Sequence, residues 1–251
     1  MASKRLKQTL PGIVLLIHSL PIAASAAPQT VITWTSEIWP KVSQENKRGA
    51  YFDLLKAVYP EPQFELVHRF LPYKRGINFV RQGRMDLFSL CSPVSGFIKP
   101  KYAWAQESIG VLFDPQVINN WQGVTSLDKH TVTVNKEISI LPFVQSINAK
   151  LIKTDSRARS LTLLQKNRAD FFLGFKINIE FELNKSSRIK MQQYKFQPLQ
   201  VISCYPGFSS SAKGLRLSRL WDEGIERLHN SGELKKIYQK WQLEYPGGDA
   251  Q

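Results

Sequence analysis

The sequence predicts an α/β protein built as two similar lobes, each a mostly parallel sheet flanked by helices. Two observations predict it. A fourteen-residue pattern occurs twice: Arg75–Phe88 aligns without a gap on Arg159–Phe172. The elements around the two copies also follow one order, strand-helix-strand-helix-strand, which is the alternation of a parallel-rich sheet covered by helices. Within the pattern Arg75/Arg159, Arg84/Arg168, Asp86/Asp170 and Phe88/Phe172 are identical. Ile77/Leu161, Phe79/Leu163, Val80/Leu164 and Leu87/Phe171 match in apolar character. Each copy reads as the end of an amphipathic helix, a sharp stop and the start of a buried strand. The stop falls at Gly83 and at Asn167, the residue types that most readily take the left-handed conformation.

Residues 1–26 read as a secretory signal, with a basic start at Lys4, Arg5 and Lys7 and an apolar stretch through Ile13–Ile17 to Leu20. Ala24-Ser25-Ala26 is an A-x-A cleavage site. His18 and Pro21 interrupt the stretch, which falls short of the ~20 apolar residues of a spanning helix. A soluble, exported, periplasmic protein is expected, and residues 27–251 suffice for two lobes of ~100 residues.

Thr30–Thr35 alternates β-branched and aromatic residues and is the first expected strand. A loop through Trp39-Pro40 leads to a short helix over Tyr51–Val58, stopped by Pro60 and Pro62. Phe64–Phe70 is the next strand, followed by a helix over Tyr73–Gln82 and the strand Asp86–Leu90. Ile109–Ile118 is extended and crosses between lobes. The second half then offers a strand at Thr131–Val134, a helix over Ile138–Ala149, a strand at Leu151–Lys153 and the second copy of the pattern. Phe196–Phe208 is a return crossing, and Leu217–Trp241 is helical with a break at Ser231-Gly232. The expected division is lobe 1 over residues 27–112, lobe 2 over 113–203, a return crossing with completion of lobe 1 over 204–246, and a tail at 247–251. Two crossings make a hinge.

Several function classes are excluded. The formal charge of +14 is spread along the chain instead of forming basic runs, which argues against a nucleic-acid partner. The two cysteines, Cys91 and Cys204, form no CxxC or His/Cys cluster, so neither a metal nor another cofactor is expected. In an oxidising compartment they either bridge or remain two buried thiols. Beyond His18 the histidines are His68, His130 and His229, with no catalytic ordering or paired-carboxylate spacing around them.

At this point the chain resembles the bacterial extracellular solute-binding proteins of family 3, the periplasmic binding protein type 2 or "Venus flytrap" architecture. Gly49–Val58 is similar to that family's Gly-hydrophobic-x-x-Asp-Leu entry to its first helix, and Leu71–Asp86 to its Pro-aromatic-Lys-Arg helix ending in Gly-x-x-Asp. Leu127–Val134 resembles the start of its second lobe, and Ser231–Trp241 its Ser-Gly-Glu-Leu-x-x-Ile…Trp terminus. The resemblance implies a monomer that closes on a small molecule and hands it to an ABC-type membrane permease. A sensory protein presenting ligand to a membrane receptor is the alternative, and a dehydratase-like enzyme on the same scaffold is a weaker one. Amino-acid binders of the family carry Thr-x-x-Arg after a lobe-one strand and an Asp in lobe two. Here the corresponding residues are Ser95–Ile98 and Phe175, so a standard α-amino acid is not the expected ligand.

Ligand contacts are expected in loops at the carboxyl ends of the strands. Trp39 follows the first strand. Tyr73 and Arg75 start the first repeat helix. Ser89, Cys91 and Ser92 end a strand, and Ser92 is the preferred polar contact. Asn135–Ser139 is expected to open a helix whose free N–H groups suit an anion. Arg157 and Phe175 complete the set. Asp53, Asp86 and Asp170 are expected to hold element ends.

Overall fold

A computed structural model describes residues 29–91, 94–136, 138–139, 141–185 and 193–246. The signal segment, Ser92 and the tail at 247–251 lie outside the described residues. The elements run β1 (Thr30–Ser36), α1 (Ala50–Val58), β2 (Phe64–Phe70), α2 (Tyr73–Arg81), β3 (Leu87–Leu90), β4 (Phe97–Ile98) and β5 (Ala105–Phe113). A 3-10 turn (Gly123–Leu127) follows, then β6 (Thr131–Asn135), α3 (Pro142–Gln145), β7 (Lys150–Thr154), α4 (Arg157–Gln165), β8 (Phe171–Phe175) and α5 (Lys176–Lys185). The chain closes with β9 (Lys195–Ser209), α6 (Ala212–Asn230) and α7 (Glu233–Trp241).

The sheet order β2-β1-β3-β9-β5-β8-β6-β7 is symmetric about its middle. In lobe 1, β1 pairs parallel with β2 and β3, and β3 pairs antiparallel with β9. In lobe 2, β6 pairs parallel with β7 and β8, and β8 pairs antiparallel with β5. The long strands β5 and β9 pair with each other from Ala105/Cys204 to Phe113/Lys195 and carry the chain between the lobes.

The repeated pattern is one hydrogen-bonded device built twice. Gly83 and Asn167 both have positive φ, 68° and 50°. The Gly83 N–H donates to Val80 O and the Asn167 N–H to Leu164 O. Arg84 N–H donates to Phe79 O and Arg168 N–H to Leu163 O, each at 2.9 Å. Asp86 N–H donates to Thr33 O and Asp170 N–H to Thr131 O, each at 2.8 Å. Each aspartate carboxylate then accepts from the same threonine N–H, at 2.7 Å in lobe 1 and 2.8 Å in lobe 2. The identical Asp thus ties the turn of each unit to the first strand of its lobe. A carboxylate accepting from a backbone N–H makes a stronger bond than a neutral pair.

The C-terminal helices return to lobe 1. Trp221 is fully buried and its Nε1–H donates to Tyr102 O at 2.9 Å. Tyr59 Oη–H donates to Leu217 O, and Tyr238 Oη–H to Trp104 O. Asp53 holds α7 by accepting from Lys240 Nζ and Trp241 Nε1, both at 2.7 Å. Cys91 and Cys204 form a disulfide across 113 residues of sequence, joining the end of β3 to β9.

Two differences from the expected elements stand out. The helix over Ile138–Ala149 is a single turn, Pro142–Gln145. Pro142 occupies its first position, and Leu141 before it is extended with ψ 134°, as a residue preceding proline prefers. Helix α5 is not among the expected elements at all. Its residues Ile177, Ile179, Phe181 and Leu183 alternate at period two, the strand pattern, although they form a helix.

Candidate functional site

The two lobes face each other across a cleft lined by residues from equivalent positions of the repeat. Glu37, directly after β1, and Asn135, the last residue of β6, lie four residues beyond the threonine that each aspartate holds. α2 and α4 begin with Tyr73 and Arg157, which the gapless alignment makes the same position. Cys91, directly after β3, and Phe175, the last residue of β8, are again one position. All six line the cleft. The duplicated scaffold therefore aims the same backbone points at the cleft from both sides. The side chains differ at every one of them.

The charges on the two walls are opposite: Glu37 belongs to lobe 1 and Arg157 to lobe 2. Glu37 Oε1 accepts from the Tyr73 N–H at 3.0 Å, so this carboxylate also tethers the start of α2. Ser36 lies beside it, with its hydroxyl 3.0 Å from His68 Nε2. Burial, then the charge of Lys47, pushes the His68 imidazole down to about 4, so it is neutral there at pH 7. Trp39 and Phe175 meet across the cleft with ring centres 5.1 Å apart. Deeper in, Asn178 of α5 is 2% exposed, and its Oδ1 has no hydrogen-bond partner among the described residues. A buried amide oxygen left unpaired costs about 1–3 kcal/mol.

The cavity volume is about 50 Å³, counted as space for the centres of water-sized molecules. That holds a few waters at most. Among the described residues no group of three or more His, Cys, Asp or Glu could hold a metal ion.

The structure gathers Trp39, Tyr73, Asn135, Arg157 and Phe175 around this cleft, with Ser89 and Cys91. It does not bring Arg75 there. Arg75 is exposed, because two residues past the start of α2 the helix has turned about 200° away from the cleft. Ser139 is also displaced: it is 3% exposed and its hydroxyl donates to Lys136 O at 2.8 Å. Among the described residues of 135–139 none is helical, and the Ile138 and Ser139 N–H groups both turn back to Asn135 O. Sequence reasoning missed Glu37 and Asn178. Glu37 was readable, since it directly follows the first strand. Asn178 gave no signal, because nothing local marks α5 as a helix.

The sequence matches no family model and no curated protein. Solved structures do match. The GluR0 ligand-binding core in complex with L-glutamate superposes with a TM-score of 0.71 at 14% identity, covering 86% of this chain and 99% of that one. A probable amino-acid ABC transporter extracellular-binding protein from Bacillus subtilis gives 0.70 at 17% identity, covering 85% and 98%. An ABC uptake transporter substrate-binding protein from Streptococcus pneumoniae with bound histidine gives 0.67 at 13% identity, covering 87% and 95%. At such identities the likeness speaks to the fold. With the symmetric sheet order and the two crossing strands, it makes this chain a two-lobed α/β protein of the periplasmic binding protein type 2 fold.

Proposed function

We propose that the protein is a periplasmic solute-binding protein. It captures a small solute between its lobes by hinge closure and delivers it to a membrane transporter. The observation that carries the reading is the set of equivalent positions, Glu37/Asn135, Tyr73/Arg157 and Cys91/Phe175, converging from two lobes on one cleft. Contacts to both lobes are what make a ligand favour the closed state. The reading is supported by the solved transporter-binding proteins of the same fold. Among the described residues no helix is long and apolar enough to cross a membrane. Export by the segment 1–26 and a monomeric state belong to the same proposal.

The ligand is not gripped as an α-amino acid is in the related binders. Phe175 stands where their lobe-two acid would stand, and the stretch Ser95–Ile98 offers no arginine. Instead the cation is Arg157 on lobe 2, which suits an anionic group, and the carboxylate is Glu37 on lobe 1.

The test is a thermal-shift screen of ligand-stripped protein against organic anions, sugars, peptides and amino acids. A ligand at 100 times its Kd stabilises by about 2.7 kcal/mol, a rise of roughly 5–10 °C for a protein of this size. Arg157→Ala should abolish the rise, whereas Arg75→Ala should leave it intact. A ligand whose shift survives Arg157→Ala and disappears with Arg75→Ala would overturn the assignment.

A further inference from the structure

A second cavity, of about 800 Å³ by the same measure, adjoins the cleft and shares Cys91 and Leu141 with it. It too lies between the lobes. One wall is lobe 1 beyond the disulfide, with Val94 and Phe97. The opposite wall is lobe 2, with Pro142 and Phe143. The floor is the crossing strand β9, with Ile202 and Tyr205.

The lining is largely apolar. Its single charged residue, among the described residues, is Lys99, whose ammonium sits 4.4 Å from the centre of the Tyr205 ring. An apolar concavity of this kind is a ligand or partner site more often than bare surface. The cleft offers the cation Arg157, with Glu37 on its facing wall, and the annex offers Lys99 with no acid among its described residues. An anionic group finds a cation at Arg157, and an apolar arm meets no carboxylate among the described residues of the annex.

We infer that the protein's solute is an organic anion with a long apolar arm: its anionic head is held at Arg157 and its arm runs past Cys91 and Leu141 into the annex. This rests on the capture function proposed above. The arm gains by leaving water for the Val94, Phe97 and Phe143 walls, by roughly fourfold in affinity per methylene buried.

Isothermal titration with phenylacetate, 4-phenylbutyrate and 6-phenylhexanoate tests it on the exported form of the chain. Affinity should rise several-fold per methylene along the series. Phe143→Asp, and separately Ser203→Trp at a second residue lining the annex, should flatten the rise while leaving phenylacetate binding intact, with a cooperative melt showing that each variant is folded. If phenylacetate binds and the wild-type series is flat, or if neither variant alters the slope, the annex inference falls and the cleft reading stands. If no phenylalkanoate binds but another solute gives an Arg157-dependent thermal shift, the inference falls in the same way. If nothing binds in either assay, both readings fall together.

Discussion

Glu107 lies on β5 opposite Ile202 of β9, in the strand pair that carries the chain between the lobes, and is 8% exposed. Burial, followed by the charges of Glu244 and Glu180, pushes its carboxyl from 4.5 up to about 7. A raised carboxyl makes the folded state prefer the protonated form. Its contribution to stability is therefore complete below pH 4.5 and is lost as pH rises through about 7. At 1.36 kcal/mol per pH unit the loss is about 3 kcal/mol. Glu107→Gln keeps the shape and removes the charge. At pH 8 the variant should be more stable than the parent by up to about 3 kcal/mol, or roughly 6–12 °C in melting temperature. At pH 4 the two should melt together. The parent's own pH profile hides the effect, because His68 acts in the opposite sense: buried neutral, it loses stability as pH falls from 6.5 to about 4. The difference between parent and variant cancels the His68 contribution, so melts of both proteins at pH 4 and pH 8 suffice. A gap between the two proteins that is the same at both pH values, or a variant that is less stable at pH 8, would refute the reasoning.

The duplicated aspartates should differ in a predictable way. Asp86 is buried and accepts from the Thr33 N–H, the Thr33 hydroxyl and Lys213 Nζ, whereas Asp170 is partly exposed and holds the Thr131 N–H beside His130. Asp86→Ala should cost about 3 kcal/mol and Asp170→Ala nearer 1, read by urea unfolding; equal costs would refute the difference drawn from their burial and partners. The Cys91–Cys204 bridge closes a loop spanning 113 residues of sequence. Opening it with a reductant, or with Cys204→Ala, should lower stability by roughly 4–5 kcal/mol on the chain-entropy account; unchanged melts would exclude that contribution.

The sequence by itself determined the elements whose signal is local. The alternation of Thr30–Thr35 and Phe64–Phe70 and the repeated helix-stop-strand pattern follow from side-chain period and backbone sterics, and they appear in the structure as read. The four identities of the repeat mark what the scaffold needs twice. Asp86 and Asp170 show this in their bonds to Thr33 and Thr131. Arg75, expected in the site because it starts the first repeat helix, matches Arg159, and both are exposed. The cleft belongs to positions where the copies differ, such as Tyr73 and Arg157, and only the pairing of two lobes through β5 and β9 reveals which positions those are. Tertiary structure also decided α5, whose period-two pattern a lone segment would spend as a strand, and which the neighbouring sheet instead covers as a helix by burying Asn178, Ile179 and Leu183. It decided the disulfide as well, because 113 residues of sequence separation say nothing about proximity until β3 and β9 lie side by side. Local periodicity is a property of neighbours in the chain; a cleft is a property of residues that only folding makes neighbours.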